Sequence, residues 1–354
     1  MSIEILNSGA SFPSYVLQHL LRQQRAAEVA RKQIQIQSGF QRQINSEYST
    51  RAKWNLLQPD IQVAVANLEN ILSRIDTIRS GVWNLLSLET NARTGDADSI
   101  AGFAAKFDAI IRSLNSTANQ NVTPPNLIGG VFANDLSYSY IQNDLRDLVS
   151  TSHVDLSTGY YIVDSGGNTW RKKNSATDGT LVQYNSLGVE TGKSVEVTRQ
   201  LRLDDLNGSA IDFTILPGTA SEESFTGATL FTNGLNVLDS WAYDGLATTS
   251  GRSRAESSLK SAMVMIDIQR AAFAGALVRA KFDLELAQDI SNGATNRISS
   301  LNQMNLVALQ EITDTATGEN LVASAAATSN LILLQAYRNM FNTGMIGNFF
   351  DILA

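Results

Sequence analysis

Apolar positions recur in steps of three and four at both ends of this chain, and alternate with polar ones through its middle. Near the start, Val16, Leu20, Ala27, Ala30 and Ile34 are spaced 4, 7, 3 and 4 residues apart, a heptad-like seam. Ser38-Gly39 interrupts the pattern and predicts a break. Pro59 then fits the first position of a second long helix, where a missing N–H does no harm. In that helix Ile61, Val65, Leu68, Leu72, Ile75, Val82 and Leu86 form one seam, with Ile71, Ile78 and Leu85 beside it. The stretch "NARTGDAD" ends it, and Asp96 or Asp98 is placed to cap a third helix carrying Ile100, Phe103, Phe107, Ile110 and Leu114. A loop at "NQNVTPPNLIGG" leads to a shorter helix expected from about Asp135 to Val149.

From about residue 151 to 240 the pattern changes. "GYYIVDSGGNTWRKK" predicts a hairpin turning at Gly166-Gly167. "GTLVQYN", "SVEVTRQLRL", "SAIDFTIL" and "FTGATLF" are strand-like runs between Gly, Asn and Asp punctuation. Helix returns near Arg252, where Leu259, Met263, Ile266, Phe273, Leu277, Ala280, Leu284 and Ala287 hold one register with Arg270 as its polar member. A last helical stretch is expected from about Gly318, its early part rich in small residues (Ala323, Ser324, Ala325, Ala326, Ala327). The predicted fold is mainly α with a β-rich insertion. Long N- and C-terminal helices pair as a coiled coil or helical rod, and a small antiparallel β domain lies between them.

Composition narrows the function. The 354 residues include no Cys, which removes disulfides, thiolate metal sites and Cys nucleophiles together. The net charge is -7 and the basic residues are scattered, which argues against a nucleic-acid footprint. The opening "MSIEILNSGASFPSYVLQHL" has no basic stretch followed by an apolar one, so a cleaved secretory signal is not expected. His19 and His153 are the two histidines, one in a helical seam and one at the start of the β region, so convergence in a catalytic or metal site is not expected. The adjacent acids Asp204-Asp205 and Glu222-Glu223 point apart on a strand or turn, whereas glycoside hydrolysis needs two facing carboxylates. "GDADS" lacks the pattern of a calcium loop and reads as a helix cap. There is no phosphate loop, nucleophile elbow or zinc helix motif. The reading is a non-enzyme with no cofactor and no metal.

The chain ends on "LILLQAYRNMFNTGMIGNFFDILA", apolar on most faces yet interrupted too often for a membrane span. Burial by other copies of the chain reconciles these features. Several stretches then resemble the bacterial flagellin family and its relative, the hook–filament junction protein. "QSGFQRQINS" (Gln37 to Ser46) resembles the family's S-G-x-R-I-x-S segment, with two extra residues between Gly39 and Ile44. "LENILSRIDTIRSG" (Leu68 to Gly81) resembles its next helix, and "PPNLIGGVF" places Asn126 and Gly129 as in T-Q-F-N-G-x-x-L. "RAAFAGALVR" (Arg270 to Arg279) is similar to R-A-x-L-G-A-x-x-N-R, with Ala274 for the Gly and Val278 for the Asn. "EITDTATGE" and the ending "GNFFDILA" match the family's C-terminal landmarks in order and spacing.

The resemblance implies a structural subunit of the flagellar filament, self-assembling through its terminal helices into a tubular polymer for motility. A hook–filament junction protein is the near alternative. A secreted adhesin or binding module with a ligand-binding β insert is the alternative from another class. Residues 1–45 and 305–354 would then form the inner core, 46–150 and 245–304 a helical rod, and 151–244 an outward β-rich insertion. The expected polymerisation residues are Val16, Leu20, Ala27, Ala30, Ile34, Leu331, Leu334, Ile346, Phe349, Phe350 and Leu353. Implied partners are further copies of the chain, neighbouring axial proteins of the flagellum and an export chaperone on the C-terminal segment, with no nucleic acid and no membrane span. The location implied is the extracellular flagellum, reached by type III export without a cleaved signal. On the rod, Leu72 to Ile78 aligns with the stretch that immunostimulatory flagellins present to an innate receptor. Arg74 keeps the first basic group, and Asp76 reverses the charge of the second.

Overall fold

The structure, a computed structural model, describes residues 12–120, 126–130, 133–142, 145–173 and 179–342. The chain divides into two compact units: Met1–Asn55 with Gln288–Ala354, and Leu56–Ala287. Two helices supply segments to both, α1 (Phe12–Ala92) and α3 (Thr249–Asn342).

In the second unit, α1 buries Leu57, Ile61, Ala64, Leu68, Ile71, Ile75, Ile78, Val82 and Leu85, alternating steps of four and three without a slip. Such a 3.5-residue repeat keeps one stripe facing a partner helix. The partner stripe on α3 is Ala255, Leu259, Ala262, Ile266, Phe273, Ala280 and Ala287. Ion pairs flank it: Glu69 with Lys281, Asp76 with Arg270, Arg79 with Asp267, and Arg93 with Glu256. Partner numbers fall on α3 as they rise on α1, so the helices run antiparallel. α2 (Ala97–Ala118) packs Phe107, Ile111 and Leu114 into the same core, and Asp96 caps it by accepting from Ser99 N at 2.8 Å. At Gly81 the side chain of Leu114 on α2 packs closely on α1, and a Cβ there would overlap it.

Three sequence expectations are corrected. Residues 135–149 are not a helix: β1 (Leu136–Gln142) and β2 (Leu145–Thr151) form a two-stranded antiparallel hairpin. Leu136 and Tyr138 are buried, two residues apart, and Tyr138 Oη donates to Asp283 on α3 at 2.7 Å, so packing on the helical core selects the strand period. Neither Ser38-Gly39 nor Pro59 marks a helix end, since α1 runs through both. α3 is likewise unbroken, with no separate start at Gly318. One Gly costs about 1 kcal/mol in a helix and Pro about 3 kcal/mol, and heptad burial along the whole stripe outweighs both.

The β region is one seven-stranded antiparallel sheet, in spatial order β6-β5-β4-β3-β9-β8-β7. Its strands are β3 (Tyr160–Val163), β4 (Thr169–Lys172), β5 (Thr180–Tyr184), β6 (Glu190–Glu196), β7 (Leu201–Asn207), β8 (Ala210–Ile215) and β9 (Glu223–Thr232). The β3–β4 turn lies at Gly166-Gly167 as expected, with Gly167 at φ +79°. Asp164 organises it, accepting from Gly166 N, Asn168 N, Trp170 Nε1 and Gln183 Nε2. Trp170, Phe213 and Phe225 form the sheet's aromatic core, Phe213 and Phe225 stacked at 4.8 Å. A helical turn, Ser240–Leu246, leads from β9 to α3.

Candidate assembly surface

In the first unit the ends of the two long helices also pair antiparallel. Asn55 Oδ1 accepts from Ser291 Oγ at 2.6 Å, Arg297 Nε lies 2.9 Å from Glu47 Oε1, and Gln33 Nε2 donates to Thr313 Oγ1 at 3.4 Å. Ile44, Trp54, Ala294 and Ile298 are buried between them. Beyond Ile298 the stripe continues through Leu301, Asn305, Ala308, Ile312, Ala316, Ala323 and Ala327, all half-buried. On α1 the facing positions are Val29, Gln33, Ile36 and Phe40. Small residues on much of α3 let the helices approach, while Leu306, Val307, Leu321 and Val322 are exposed outside the stripe.

Of the sequence-derived assembly residues, Leu20 is 51% exposed, Ile34 66%, Leu331 54% and Leu334 64%, and Ala27 and Ala30 are exposed too. The predicted N-terminal seam is therefore the face that the intrachain pairing leaves free. The side chain of Val16, and all of Ile346, Phe349, Phe350 and Leu353, lie outside the described residues. Sequence reasoning missed Met304, Leu306, Val307, Leu321 and Val322, which are equally exposed. The signal was present, since each is a large apolar residue beside the small-residue stripe. Leu331, Ile332, Leu333 and Leu334 are all exposed together. At 3.6 residues per turn these four cover the whole helix circumference, so one partner helix cannot bury them all. By length and composition alone, α3 is also long and apolar enough to cross a membrane.

The candidates for chemistry are taken up in local structure. His153 Nδ1 lies 2.8 Å from Asp135 Oδ1, and hydrogen bonds from His153 hold that carboxyl below its ordinary range. Asp204 accepts from Thr214 Oγ1 and Arg202 Nε, and Glu223 pairs with Lys193. His19 is exposed on α1. Among the described residues, no three His, Asp or Glu side chains are grouped to hold a metal ion. On α1, Arg74 is not available at the surface. It is buried, donating to Thr117 O, Ala118 O and Asn126 Oδ1 around the end of α2. Asn126, one of the family-like positions, donates in turn to Ala118 O. A Cβ at Gly129, the other, would overlap that carbonyl oxygen.

No protein-family model matches the chain. No curated protein matches it either. Solved structures similar to it include flagellar proteins, at low identity. One is FliC from Burkholderia pseudomallei, at 17% identity over 61% of this chain and 99% of that one, with a TM-score of 0.32. A second is the flagellar junction protein FlgL from Legionella pneumophila, at 13% identity over 75% of this chain and 98% of that one, with a TM-score of 0.38. A third is FlgL from Xanthomonas campestris, at 12% identity over 71% of this chain and 99% of that one, with a TM-score of 0.29.

Proposed function

We propose that this chain is a structural subunit of the bacterial flagellar filament that polymerises through the free apolar faces of its terminal helices. The observation that carries the reading is the exposure of Leu331–Leu334 around the full circumference of a helix that already has an intrachain partner. Other copies of the chain, arranged around that helix, supply the burial. The sequence resemblance over both helical ends supports the same reading, because it falls on the paired segments. On this proposal the chain leaves the cell through the flagellar export apparatus. A chaperone covers the C-terminal segment before export, and the subunit meets other axial proteins of the flagellum at the ends of the polymer.

The test is truncation after Asn348, which removes Phe349, Phe350, Ile352 and Leu353. Expressed in a motile host, the truncated chain should reach the medium as monomer and form no filaments. Normal filaments from it would overturn the proposal. Purified full-length chain, seeded with filament fragments, should elongate them indefinitely. A junction protein would add a few subunits and stop.

A further inference from the structure

The second unit contains a buried polar cluster that assembly does not use. Asp108 on α2 and Asp239, just before the helical turn Ser240–Leu246, are both fully buried. Asp108 Oδ1 accepts from Ser240 N at 2.6 Å, and its Oδ2 accepts from Thr198 Oγ1 at 2.6 Å and Ser240 Oγ at 2.9 Å. Asp239 Oδ2 accepts from Tyr160 Oη at 2.7 Å and pairs with Lys172 Nζ at 2.8 Å. Trp241 Nε1 donates to Tyr160 Oη. Asp239 Oδ1 is buried and accepts from no donor among the described residues. The cluster ties together α2, β3, β4, the segment after β6, and the turn that leads into α3.

Its charges do not balance. Lys172 pairs with Asp239, and among the described residues no ion pair joins Asp108 to a cation, so the deprotonated cluster carries one buried negative charge in excess, and burying an uncompensated charge is costly. Arg254 on α3 pairs with Asp244 at 2.9 Å, and Arg112 lies one turn along α2 from Asp108. The partners of Asp108 suit a proton. The Thr198 and Ser240 hydroxyls donate to a carboxylate or, after rotation, accept from a carboxyl. Protonation therefore reverses one of these hydroxyl bonds, while the three donors to Asp108 favour its charged form and oppose the effect of burial.

We propose that this cluster is a proton-operated joint. One proton held by the Asp108 carboxyl neutralises the cluster and tightens the attachment of the sheet to α2 and the turn under mild acid, and its loss at neutral pH loosens that attachment. Burial, followed by repulsion from Asp239, raises the Asp108 carboxyl from 3.8 to about 6. The folded state thus binds the proton more tightly than the unfolded chain, and stability falls as pH rises through about 6. With these values, the equilibrium constant for opening the joint should fall roughly tenfold between pH 7.5 and pH 5.

The test compares the full chain with Asp108→Asn, whose amide keeps the geometry without the charge. Thermal melting and hydrogen exchange at the Ser240 amide are followed from pH 7.5 to pH 5. Wild type should gain protection about tenfold toward pH 5. Asp108→Asn should be at least as protected as wild type at pH 7.5 and lose the slope over this range. An unchanged slope in the variant, or a variant less stable than wild type at pH 7.5, overturns the proposal. A second readout needs no variant: the Asp108 carboxyl carbon of the wild-type chain, followed by NMR, should titrate near pH 6. Titration near the ordinary Asp value overturns the proposal even if the variant fails to fold.

Discussion

Arg74 Nη2 lies 2.7 Å from the carbonyl oxygen of Thr117, so a cation in the middle of one helix closes the C-terminus of another. The last carbonyls of a helix lack intrahelical partners and carry partial negative charge. A guanidinium satisfies several at once, here Thr117 O, Ala118 O and the Asn126 side chain. Two residues later, Asp76 pairs with Arg270, but both side chains are about half exposed. Arg74→Met should therefore cost roughly 1.5 to 3 kcal/mol, as for a hydrogen-bonded buried charge. Asp76→Ala should cost at most about 1 kcal/mol, as for a surface pair. Urea denaturation of the two variants checks the ranking, and equal costs would contradict it.

Assembly should respond to the exposed leucines. Fully burying a Leu is worth about 1.5 to 3 kcal/mol, and 1.4 kcal/mol is about a factor of ten. If Leu331 and Leu334 are both buried in the polymer, Leu331→Ser with Leu334→Ser should raise the critical concentration for polymerisation roughly a hundredfold or more. Neither residue packs in the second unit, so its melting should not move. Sedimentation of polymer against total concentration measures the first effect and calorimetry the second. An unchanged critical concentration would remove these residues from the interface.

Asp164 gives a pH dependence opposite in sign to that of Asp108. Burial raises its carboxyl, but hydrogen bonds from Asn168 N, Gln183, Trp170 and the Asn168 side chain outweigh that and hold it below the ordinary value. The stability it contributes is present above the unfolded pKa and is lost as pH falls through the lower folded one. The sheet should thus lose stability below about pH 4. In Asp164→Asn, which cannot accept from all of these donors, that acid loss should shrink, while stability at neutral pH drops by about 1 to 3 kcal/mol. Trp170 fluorescence, reporting on the residue bonded to Asp164 Oδ2 at 3.1 Å, follows both.

How far the sequence could be read depends on where each signal is stored. The heptads of α1 and α3 are local and long, so Ile61, Leu68, Ile75, Leu259 and Ile266 are placed in the core by spacing alone, and all are buried. The β3–β4 turn is legible for a similar reason, since Gly166-Gly167 and alternating neighbours suffice. The hairpin at 136–151 is not legible, because its period is chosen by Tyr138 reaching Asp283, 145 residues away. Gly39 and Pro59 mislead because a break is a local preference and helix continuity is a sum over many packed turns. On the candidate assembly surface the N-terminal seam is legible, yet which face it occupies depends on the half-buried stripe of the opposite helix. The acids of the buried cluster give no local sign at all, since Asp108 and Asp239 meet only in the fold.

The sequence suggests an outward β-rich insertion over 151–244, and a cut inside it, as at 205 within β7, would leave β8 and β9 with only each other for neighbours. Unpaired strand edges invite aggregation. The proper excision runs from β3 to the end of β9, residues 160–232, replaced by a short Gly/Ser bridge. Gly159 and Asn233 make this feasible: Asn233 N donates to Gly159 O at 2.8 Å, so the two ends already lie side by side. The removed segment holds none of the exposed assembly residues on α1 and α3. Excision should therefore leave polymerisation intact, with filaments seen by electron microscopy. It also removes Lys172, Tyr160 and Thr198 from the acid cluster and opens Asp108 and Asp239 to water. The pH 5 to 7.5 dependence of stability should vanish with the sheet, since solvated carboxylates titrate near their ordinary values. A folded, soluble excision variant that fails to polymerise would show that the sheet takes part in assembly.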